Sequence, residues 1–335
     1  MLNPKDFSYF STYLLAAEAD NRGIKVNIVA DDAMTSKGVV LELIYRKHKE
    51  YIVGQRTART SAVAYWIQQN KQVAKYFFAR NGISVSEGDA FNYKQEKEII
   101  KYCKKIGYPV VIKPVMGVQG KSVYLEVRSD KRVREILKAL KGKFSNILIE
   151  KQYHGDEYRL FATKDKFVAA TWRIPANVEG DGVHNLQELI KIKNKDPRRG
   201  ADHAKSLVRI KVDDVVKDYL KGQKKTLKYI PQKGQKVYLR PNSNLSTGGD
   251  SIDFTDKIHP KVKQLAVKVI NAIPGLAFGG IDFMTKDITK APVKNNYIII
   301  EVNDSPMISM HHIPYEGKAR NAAKAIIDMI FPETK

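Results

Sequence analysis

Three oxygen-bearing side chains follow two apolar runs in the C-terminal part of the sequence. Glu301 and Asn303 end the run that begins at Ile298, and the two-residue period of a strand places both on one face. Asp282 ends a second apolar run, and a neighbouring strand would bring its carboxylate to the same place. A few hard oxygen ligands, completed by water and phosphate oxygens, suit Mg²⁺ better than zinc or an all-protein calcium site. One acid at a strand end usually faces solvent, but the three residues together predict a magnesium site.

Lys113 ends another apolar run, Val110-Val111-Ile112, and a glycine-containing loop follows it. The glycines and the lysine of this loop are Gly117, Gly120 and Lys121. Glycine allows a close backbone approach to phosphate oxygens, and lysine adds a point charge. The loop is not a Walker A motif, because Gly-Lys-Ser at 120–122 would need glycine at position 115, where Val115 stands. The segment predicts a phosphate-binding loop between two strands, although an ordinary hairpin fits the loop alone equally well.

A further polar segment joins two predicted strands. Glu150-Lys151-Gln152-Tyr153 is followed, seven residues after Glu150, by Glu157. The backbone of such a hinge can pair with an adenine edge, and a carboxylate can accept hydrogen bonds from the two hydroxyls of a ribose. A polar turn between strands has the same composition, so both interpretations stay open for this segment alone.

The elements that must position these side chains divide the chain into three predicted units. Residues 1–93 form a small N-terminal α/β unit, with a helix from about Phe7 to Asn21 and a long helix from about Thr60 to Arg80. Residues 94–153 alternate helix, strand, loop, strand, helix and strand, which predicts a compact α+β lid. Residues 154–335 are dominated by strands and predict a mixed sheet with helices packed on it, including helices at 186–193 and 260–273.

The composition is typical of a folded protein without disulfide bonds: of 335 residues, 43% are hydrophobic and 28% are charged. The single cysteine, Cys103, lies on the apolar stripe of a predicted helix, so we expect it in the core; one thiol excludes an intrachain disulfide and a thiolate zinc site. The start has no basic segment followed by an apolar core, and no apolar run approaches the roughly 18 residues of a membrane span. We therefore expect a cytoplasmic protein without a membrane partner.

The formal net charge of +22 would by itself favour a polyanionic partner such as nucleic acid. The basic residues are dispersed, however, and alternate with acidic or apolar residues in segments such as 94–105, 131–143 and 217–228. This pattern is typical of solvated helix faces. It predicts a surface that is soluble and attracts small anions, and it makes nucleic acid an improbable partner.

The order of these segments resembles the ATP-grasp superfamily: a lysine strand with a glycine loop, then hinge glutamates, then Asp and Glu-x-Asn. Longer blocks make the sequence similar to the ATP-grasp module of bifunctional glutathione synthetases and cyanophycin synthetases. They are RIPANVEGDG at 173–182, NKDPRRG at 194–200, YLRPNSNLSTGGDSID at 238–253 and HHIPYEGK at 311–318. The resemblance covers roughly residues 71–332 and extends more faintly into the N-terminal segment. It implies an α+β ATP-grasp fold, in which two α+β subdomains grip ATP, behind a small N-terminal α/β domain.

The resemblance also implies roles for individual residues. The ATP-binding set would comprise Lys71, Lys113, Gly117, Gly120 and Lys121 at the phosphates, Glu150, Lys151, Gln152 and Tyr153 at the adenine, and Glu157 at the ribose. Mg²⁺ would be held by Asp282, Glu301 and Asn303, with two ions expected and Mn²⁺ as a substitute. Catalysis would depend on Arg240 facing the transferring phosphoryl group, with Lys113 and Arg173. The substrates would contact Arg173, Arg199, Ser246, Thr247 and Gly248.

The implied activity is that of an ATP-dependent carboxylate–amine ligase, which forms an amide bond through an acylphosphate intermediate. Its substrates would be small amino acids or peptides. The leading hypothesis is a glutathione-synthetase-like reaction that joins a γ-glutamyl or similar dipeptide to an amino acid. The alternative is a cyanophycin-synthetase-like addition of an amino acid to a longer peptide. A hypothesis of another class is a basic nucleic-acid-binding protein on an ATP-grasp scaffold. Related enzymes are often dimers or tetramers, so a homo-oligomer is compatible with the resemblance.

Overall fold

The structure is a computed structural model, and it describes residues 2–30, 39–117 and 122–335. Its helices are α1 (Phe10–Asp20), α2 (Ala62–Gln69), α3 (Lys71–Arg80), α4 (Glu96–Ile106), α5 (Asp130–Leu140), α6 (Leu186–Lys193), α7 (Asp214–Gly222), α8 (Pro260–Ala272), α9 (Ser309–His312) and α10 (Ala322–Ile330). Its strands are β1 (Lys25–Ala30), β2 (Val40–Tyr45), β3 (His48–Val53), β4 (Arg56–Thr57), β5 (Gly88–Asn92), β6 (Val110–Pro114), β7 (Tyr124–Val127), β8 (Asn146–Lys151), β9 (Asp156–Thr163), β10 (Phe167–Ile174), β11 (Asn177–Glu179), β12 (Arg199–Gly200), β13 (Leu207–Val208), β14 (Lys236–Tyr238), β15 (Asp250–Asp253), β16 (Phe278–Thr285) and β17 (Tyr297–Asn303). In the part of the chain so described, no helix combines the length and the apolar character needed to cross a membrane.

The N-terminal sheet has the order β1-β2-β3-β4 and is antiparallel. Alternate residues of β2 and β3, such as Leu41, Leu43 and Ile52, are buried, as expected for a sheet with one covered face. This face packs against α1 and against the C-terminal helix α10. The predicted N-terminal unit therefore shares its core with the other end of the chain.

The long helix predicted from Thr60 to Arg80 is wrong, because the structure has two helices, α2 and α3, that meet at Asn70. Asn70 adopts an extended backbone, and its side chain accepts hydrogen bonds from the first N–H groups of α3. Its backbone also forms a bridge with Met116. The cap and the bridge together stabilise the break between the two helices.

The lid sheet has the order β5-β8-β6-β7 and is antiparallel, and α4 and α5 cover one of its faces. Cys103 lies in this core, where burial raises the pKa of its thiol to about 11, so the predicted core position is confirmed. Strand β5, at residues 88–92, pairs with β8. The predicted boundary between residues 93 and 94 therefore separates β5 from the sheet to which it belongs. The pairing of β5 with β8 is long-range in sequence, and the local pattern did not reveal it.

The body sheet has the order β15-β10-β9-β16-β17. Every pair in it is antiparallel, so the predicted mixed sheet is wrong in this respect. Helix α8 packs on one face through Val262, Ala266 and Val269, and α2 and α3 join the same core through Ala64, Ala74 and Phe78. At one end of the other face, Phe161 and Phe278 pack against the N-terminal unit. The rest of that face is polar and forms a wall of the site below.

An insertion between β10 and β15 forms a small subdomain of its own. It contains α6, α7, the β11–β14 pair and the short parallel β12–β13 pair, which surround a separate apolar core. Helix α6, at the position of the helix predicted for 186–193, begins with a capping box between Asn185 and Glu188. Strand β14 pairs with β11 of this insertion.

Candidate active site

A cavity of about 910 Å³ separates the lid sheet from the polar face of the body sheet. Lys113 and Glu150 line it from the lid, and Asp282 and Glu301 line it from the body. The insertion contributes Arg240. A cavity of this size, with polar groups that converge from several elements, is typical of a ligand-binding site.

The lid wall is built around one buried carboxylate, that of Glu150. One of its oxygens accepts a hydrogen bond from Lys75 Nζ at 2.7 Å, and the other contacts Lys113 Nζ. Burial alone would raise the pKa of Glu150, but the two lysines more than offset burial and the pKa is lowered. Gly88 lies opposite Glu150 in the sheet, and a Cβ there would be 2.7 Å from Glu150 Cγ. The lid wall therefore holds two cations around one carboxylate.

The body wall is a row of charged side chains across neighbouring strands. Arg159, Asp282 and Glu301 lie opposite one another on β9, β16 and β17. Arg159 Nε donates to one oxygen of Asp282 at 2.6 Å, and Arg173 Nη2 donates to the other at 3.0 Å. Arg173 also donates to Glu157 at 2.9 Å. The carboxylates thus outnumber the arginines on this wall.

Burial and charge act in opposite directions on the acids of the body wall. Burial alone would raise the pKa of Asp282, but Arg159 and Arg173 lower it further than burial raises it. Burial raises the pKa of Glu157, and the negative charge of Asp282 raises it further. The single contact with Arg173 lowers this pKa but does not offset the increase. Asp282 is therefore held as a carboxylate more firmly than Glu157.

Two residues without large side chains make this arrangement fit. A Cβ on Gly280, which lies beside Asp282 on β16, would be 2.8 Å from Arg159 Nη1 and 2.7 Å from Pro306 Cβ. Gly248 has a left-handed backbone (φ 98°), and a Cβ there would be 2.7 Å from the backbone of Ile210. The first glycine gives Arg159 its space, and the second allows the loop at 242–249 to approach Ile210 within the insertion.

Helix α3 joins the two walls. Its first residue, Lys71, donates from the backbone N–H to Val115 O of the lid at 3.2 Å. Its ammonium donates to Gly117 O at 2.8 Å and lies 3.6 Å from Glu301 of the body. The break at Asn70 sets this position, because it lets α3 begin at the edge of the cavity.

The predicted metal ligands lie together, with Asn303 Nδ2 3.4 Å from Glu301 Oε1. Within the described ranges, no cluster of three or more His, Cys, Asp or Glu side chains is arranged for a metal ion. The predicted set is two carboxylates and one amide. Both oxygens of Asp282 accept hydrogen bonds from arginines, whereas the side chain of Glu301 is 30% exposed. This oxygen donor set fits Mg²⁺ that is also bound by phosphate groups, with Glu301 as its accessible carboxylate.

The predicted hinge residues Lys151, Gln152 and Tyr153 all line the cavity. The backbone N–H of Lys151 donates to Glu87 O at 2.8 Å, and that of Gln152 donates to Pro109 O at 3.1 Å. The hydroxyl of Tyr153 is buried and has no hydrogen-bond partner in the described part of the chain. Two of the hinge N–H groups are therefore already used within the protein.

Two further arginines, Arg173 and Arg240, line the cavity. Arg240 is buried, and its Nη2 donates to Asp213 at 2.5 Å. Among the described residues, neither Nε of Arg240 nor Nε of Arg173 has a partner. Buried donors without partners are rare and indicate a missing acceptor. These two groups fit an anionic ligand.

The comparisons with known proteins agree with this geometry. Residues 68–191 match the family of the RimK-like ATP-grasp domain. The crystal structure of a bifunctional glutathione synthetase from Pasteurella multocida superposes with a TM-score of 0.72 at 34% identity, over 97% of this chain and 43% of that chain. The chain has the ATP-grasp fold.

Curated relatives extend the ATP-grasp match over nearly the whole chain. A cyanophycin synthetase from Crocosphaera subtropica is 37% identical over 324 residues, which are 96% of this chain and 36% of the relative. The glutathione biosynthesis bifunctional protein GshAB of Clostridium perfringens is 36% identical over 326 residues, which are 96% of this chain and 41% of the relative. The chain thus spans well under half the length of these relatives.

Most residues predicted for the ATP-grasp site line the cavity, but some do not. Ser246 lines it, whereas Thr247 and Gly248 lie behind it in the same turn. Arg199 is fully buried away from the cavity, in contact with Asp250 and with backbone carbonyls of the insertion. Its placement corrects the predicted substrate contact, because an Arg-Arg pair in sequence does not reveal which side chain turns inward. Gly120 and Lys121 lie outside the described residues.

Several residues in the cavity or directly behind it were missed. Arg159 is two residues after Glu157 on the same strand, so the strand period could have revealed it. Lys75 is one helical turn after Lys71, a spacing that places both on one face of α3. Tyr9 and Arg56 of the N-terminal unit also line the cavity. No local signal predicts these two, because only the tertiary fold brings them there.

Proposed function

We propose that this ATP-grasp protein is an ATP- and Mg²⁺-dependent ligase that joins a carboxylate to an amine. The observation that carries the proposal is the pair of opposed walls across one cavity. On the lid, Lys75 and Lys113 surround Glu150, and on the body, Glu157, Asp282 and Glu301 outnumber Arg159 and Arg173. A wall with excess positive charge suits phosphate, and a wall with excess carboxylate suits the metal ion that accompanies it.

The reaction proceeds in two steps. The γ-phosphoryl group of ATP passes to a carboxylate oxygen of the first substrate and yields an acylphosphate and ADP. The amine of the second substrate attacks the acyl carbon, phosphate leaves, and the nitrogen loses a proton as the amide forms. Asp282, Glu301 and Asn303 would hold Mg²⁺, as the two expected ions, which would neutralise phosphate charge.

The residues of the chain contribute position and charge in this proposal. Arg240 and Arg173 face the anionic groups on the acceptor side, and their unpaired Nε atoms support this role. Lys71 and Lys113 hold the phosphates, the segment from Glu150 to Tyr153 lines the adenine, and Glu157 holds the ribose. Such fixed charges in a cavity that excludes water stabilise a transition state without a protein nucleophile.

The proposed substrates are a γ-glutamyl or similar dipeptide and an amino acid. The names of two relatives described above, a glutathione biosynthesis protein and a cyanophycin synthetase, support peptide-like substrates. The second name favours a longer peptide as the alternative acceptor. Both reactions form an amide from a carboxylate, so they differ in substrate length and not in chemistry.

The test begins with nucleotide binding. Mg-ATP should raise the unfolding temperature of the protein, and EDTA should remove this increase. Amino acids, dipeptides and longer peptides are then screened for ATP-dependent release of phosphate. The product mass should equal the sum of the two substrates less one water. Phosphate release without an amide product, or salt-sensitive binding to random oligonucleotides in place of Mg-ATP binding, would refute the ligase proposal.

A further inference from the structure

Lys75 lies directly behind the lid wall and does not line the cavity. It is buried on α3, with a side chain that is 8% exposed, and its ammonium is 2.7 Å from one oxygen of Glu150. The other oxygen of Glu150 contacts Lys113, and both of these residues face the cavity. Lys113 and Glu150 therefore face the cavity, and Lys75 lies behind Glu150.

The ion pair between Lys75 and Glu150 joins two bodies of the fold. Helix α3 packs in the core of the body through Ala74 and Phe78, whereas Glu150 belongs to the lid sheet. Gly88, opposite Glu150, leaves no room for a Cβ beside the glutamate side chain. Lys75 on one side and the bare backbone of Gly88 on the other thus fix the carboxylate in one place.

The charges of this cluster do not cancel. Two lysines and one glutamate leave one net positive charge in a buried place, which is unfavourable unless an anion compensates it. Without Lys75, Glu150 and Lys113 would form a neutral pair. An ammonium has three N–H donors, and within the described residues Lys113 has only its contact with Glu150. Lys113 therefore keeps donors for an anion that enters from the cavity.

We propose that Lys75 is a positioning residue of the nucleotide site. It holds one oxygen of Glu150 from the body side, so that Glu150 does not neutralise Lys113 and the lid wall presents one net positive charge to the phosphates. This inference rests on the proposed ATP-dependent function. It assigns Lys75 no contact with the nucleotide, so its effect passes through Glu150.

The test measures the Kd of Mg-ADP by calorimetry for the wild-type protein and for Lys75→Met. We expect the Kd to rise about tenfold, the loss of roughly one charge-assisted interaction. The KM for ATP should rise by the same factor while kcat is unchanged. Lys75→Arg, which keeps the charge, should bind Mg-ADP more tightly than Lys75→Met. The control is Lys101→Met, which removes the same charge from an exposed position on α4 and should leave the Kd unchanged.

A second comparison separates positioning from a merely structural role. In a Glu150→Gln background, Lys75→Met should cause no further increase in the Kd, because the carboxylate through which Lys75 acts is already absent. A lower unfolding temperature for Lys75→Met and Lys75→Arg with an unchanged Kd would overturn the inference. If the wild-type protein binds Mg-ADP and Lys75→Met binds it equally, the inference alone fails. If the wild-type protein does not bind Mg-ADP, the proposed function fails and the inference with it.

Discussion

Glu150 and Glu157 face the same cavity from opposite sheets, and their pKa values shift in opposite directions. Burial is the largest influence on both and would raise both pKa values. At Glu150 two lysines reverse the effect, whereas at Glu157 a single arginine does not. That arginine, Arg173, also serves Asp282, whose negative charge raises the pKa of Glu157 further. The direction of the pKa shift therefore depends on how many cations contact each carboxylate, because both residues are glutamates.

The number of cations relative to carboxylates also distinguishes the two walls as binding surfaces. The lid cluster of Lys75, Lys113 and Glu150 carries one net positive charge. Among the strand residues of the body wall, Arg159 and Arg173 face three carboxylates, which leaves one net negative charge before Lys71 of α3, 3.6 Å from Glu301, is counted. A nucleotide with its metal ion has both signs, and it would complete both walls at once. Three substitutions, each of one glutamate, test whether the two walls differ in this way.

The largest effect is expected for Glu301→Gln. Glu301 is the accessible carboxylate of the body wall, and Gln keeps its shape but removes the charge that a magnesium ion needs. We expect turnover to fall by about a thousandfold, since a bound metal ion contributes several kcal/mol to the stabilisation of transition-state charge. The rate of substrate-dependent ADP release measures the effect.

The control for this change is Glu98→Gln on α4, which is exposed and far from the body wall. It should turn over at the wild-type rate. Circular dichroism should show that Glu301→Gln remains folded. Wild-type ADP release in Glu301→Gln would contradict the metal assignment and, with it, the contrast between the walls.

The body wall could be predicted from the sequence better than the lid wall. Glu301 and Asn303 end an uninterrupted strand, and Asp282 lies opposite Glu301 as predicted, because strand period and apolar runs are local properties. Lys75 could not be assigned in the same way. Its role depends on the break at Asn70 and on the pairing of β5 with β8, which are set by contacts between distant segments.

The insertion shows the same limit. Arg199 belongs to a block that identifies the family well, yet its side chain is buried against Asp250, 51 residues away in sequence. Neighbouring Arg198 instead contacts the loop at 314–315. A family resemblance locates such a block in the fold, but only packing decides which of two adjacent arginines is buried.

The second prediction concerns the stability of the lid wall. Glu150→Gln leaves Lys75 and Lys113 buried without a counter-charge, so it should lower the free energy of unfolding at pH 7 by about 3 kcal/mol. The folded-state pKa of Glu150 is lowered from 4.5. The contribution of its carboxylate to the free energy of unfolding is therefore present above pH 4.5 and is lost as the pH falls through the folded-state pKa. The difference from wild type should therefore shrink below about pH 4.5. Urea denaturation at pH 7 and at acid pH measures it, and a variant as stable as wild type at pH 7 would contradict the role of the carboxylate.

The smallest effect, of opposite sign, is expected for Glu157→Gln. The folded-state pKa of Glu157 is raised above 4.5, so its contribution to stability is present below that value and is lost as the pH rises through the folded-state pKa. Gln resembles the protonated side chain. At pH 7 Glu157→Gln should therefore be more stable than wild type, and the difference should vanish at acid pH.

The control for the last change is Glu179→Gln, an exposed glutamate of β11 outside the cavity, which should not alter stability at either pH. The pair Glu150→Gln and Glu157→Gln then tests the comparison itself. The same chemical change, made in two sheets that face one cavity, should destabilise the protein at the lid and stabilise it at the body. If both variants are destabilised at pH 7, Arg173 compensates Glu157 fully, and the excess of negative charge on the body wall does not exist in the ligand-free protein.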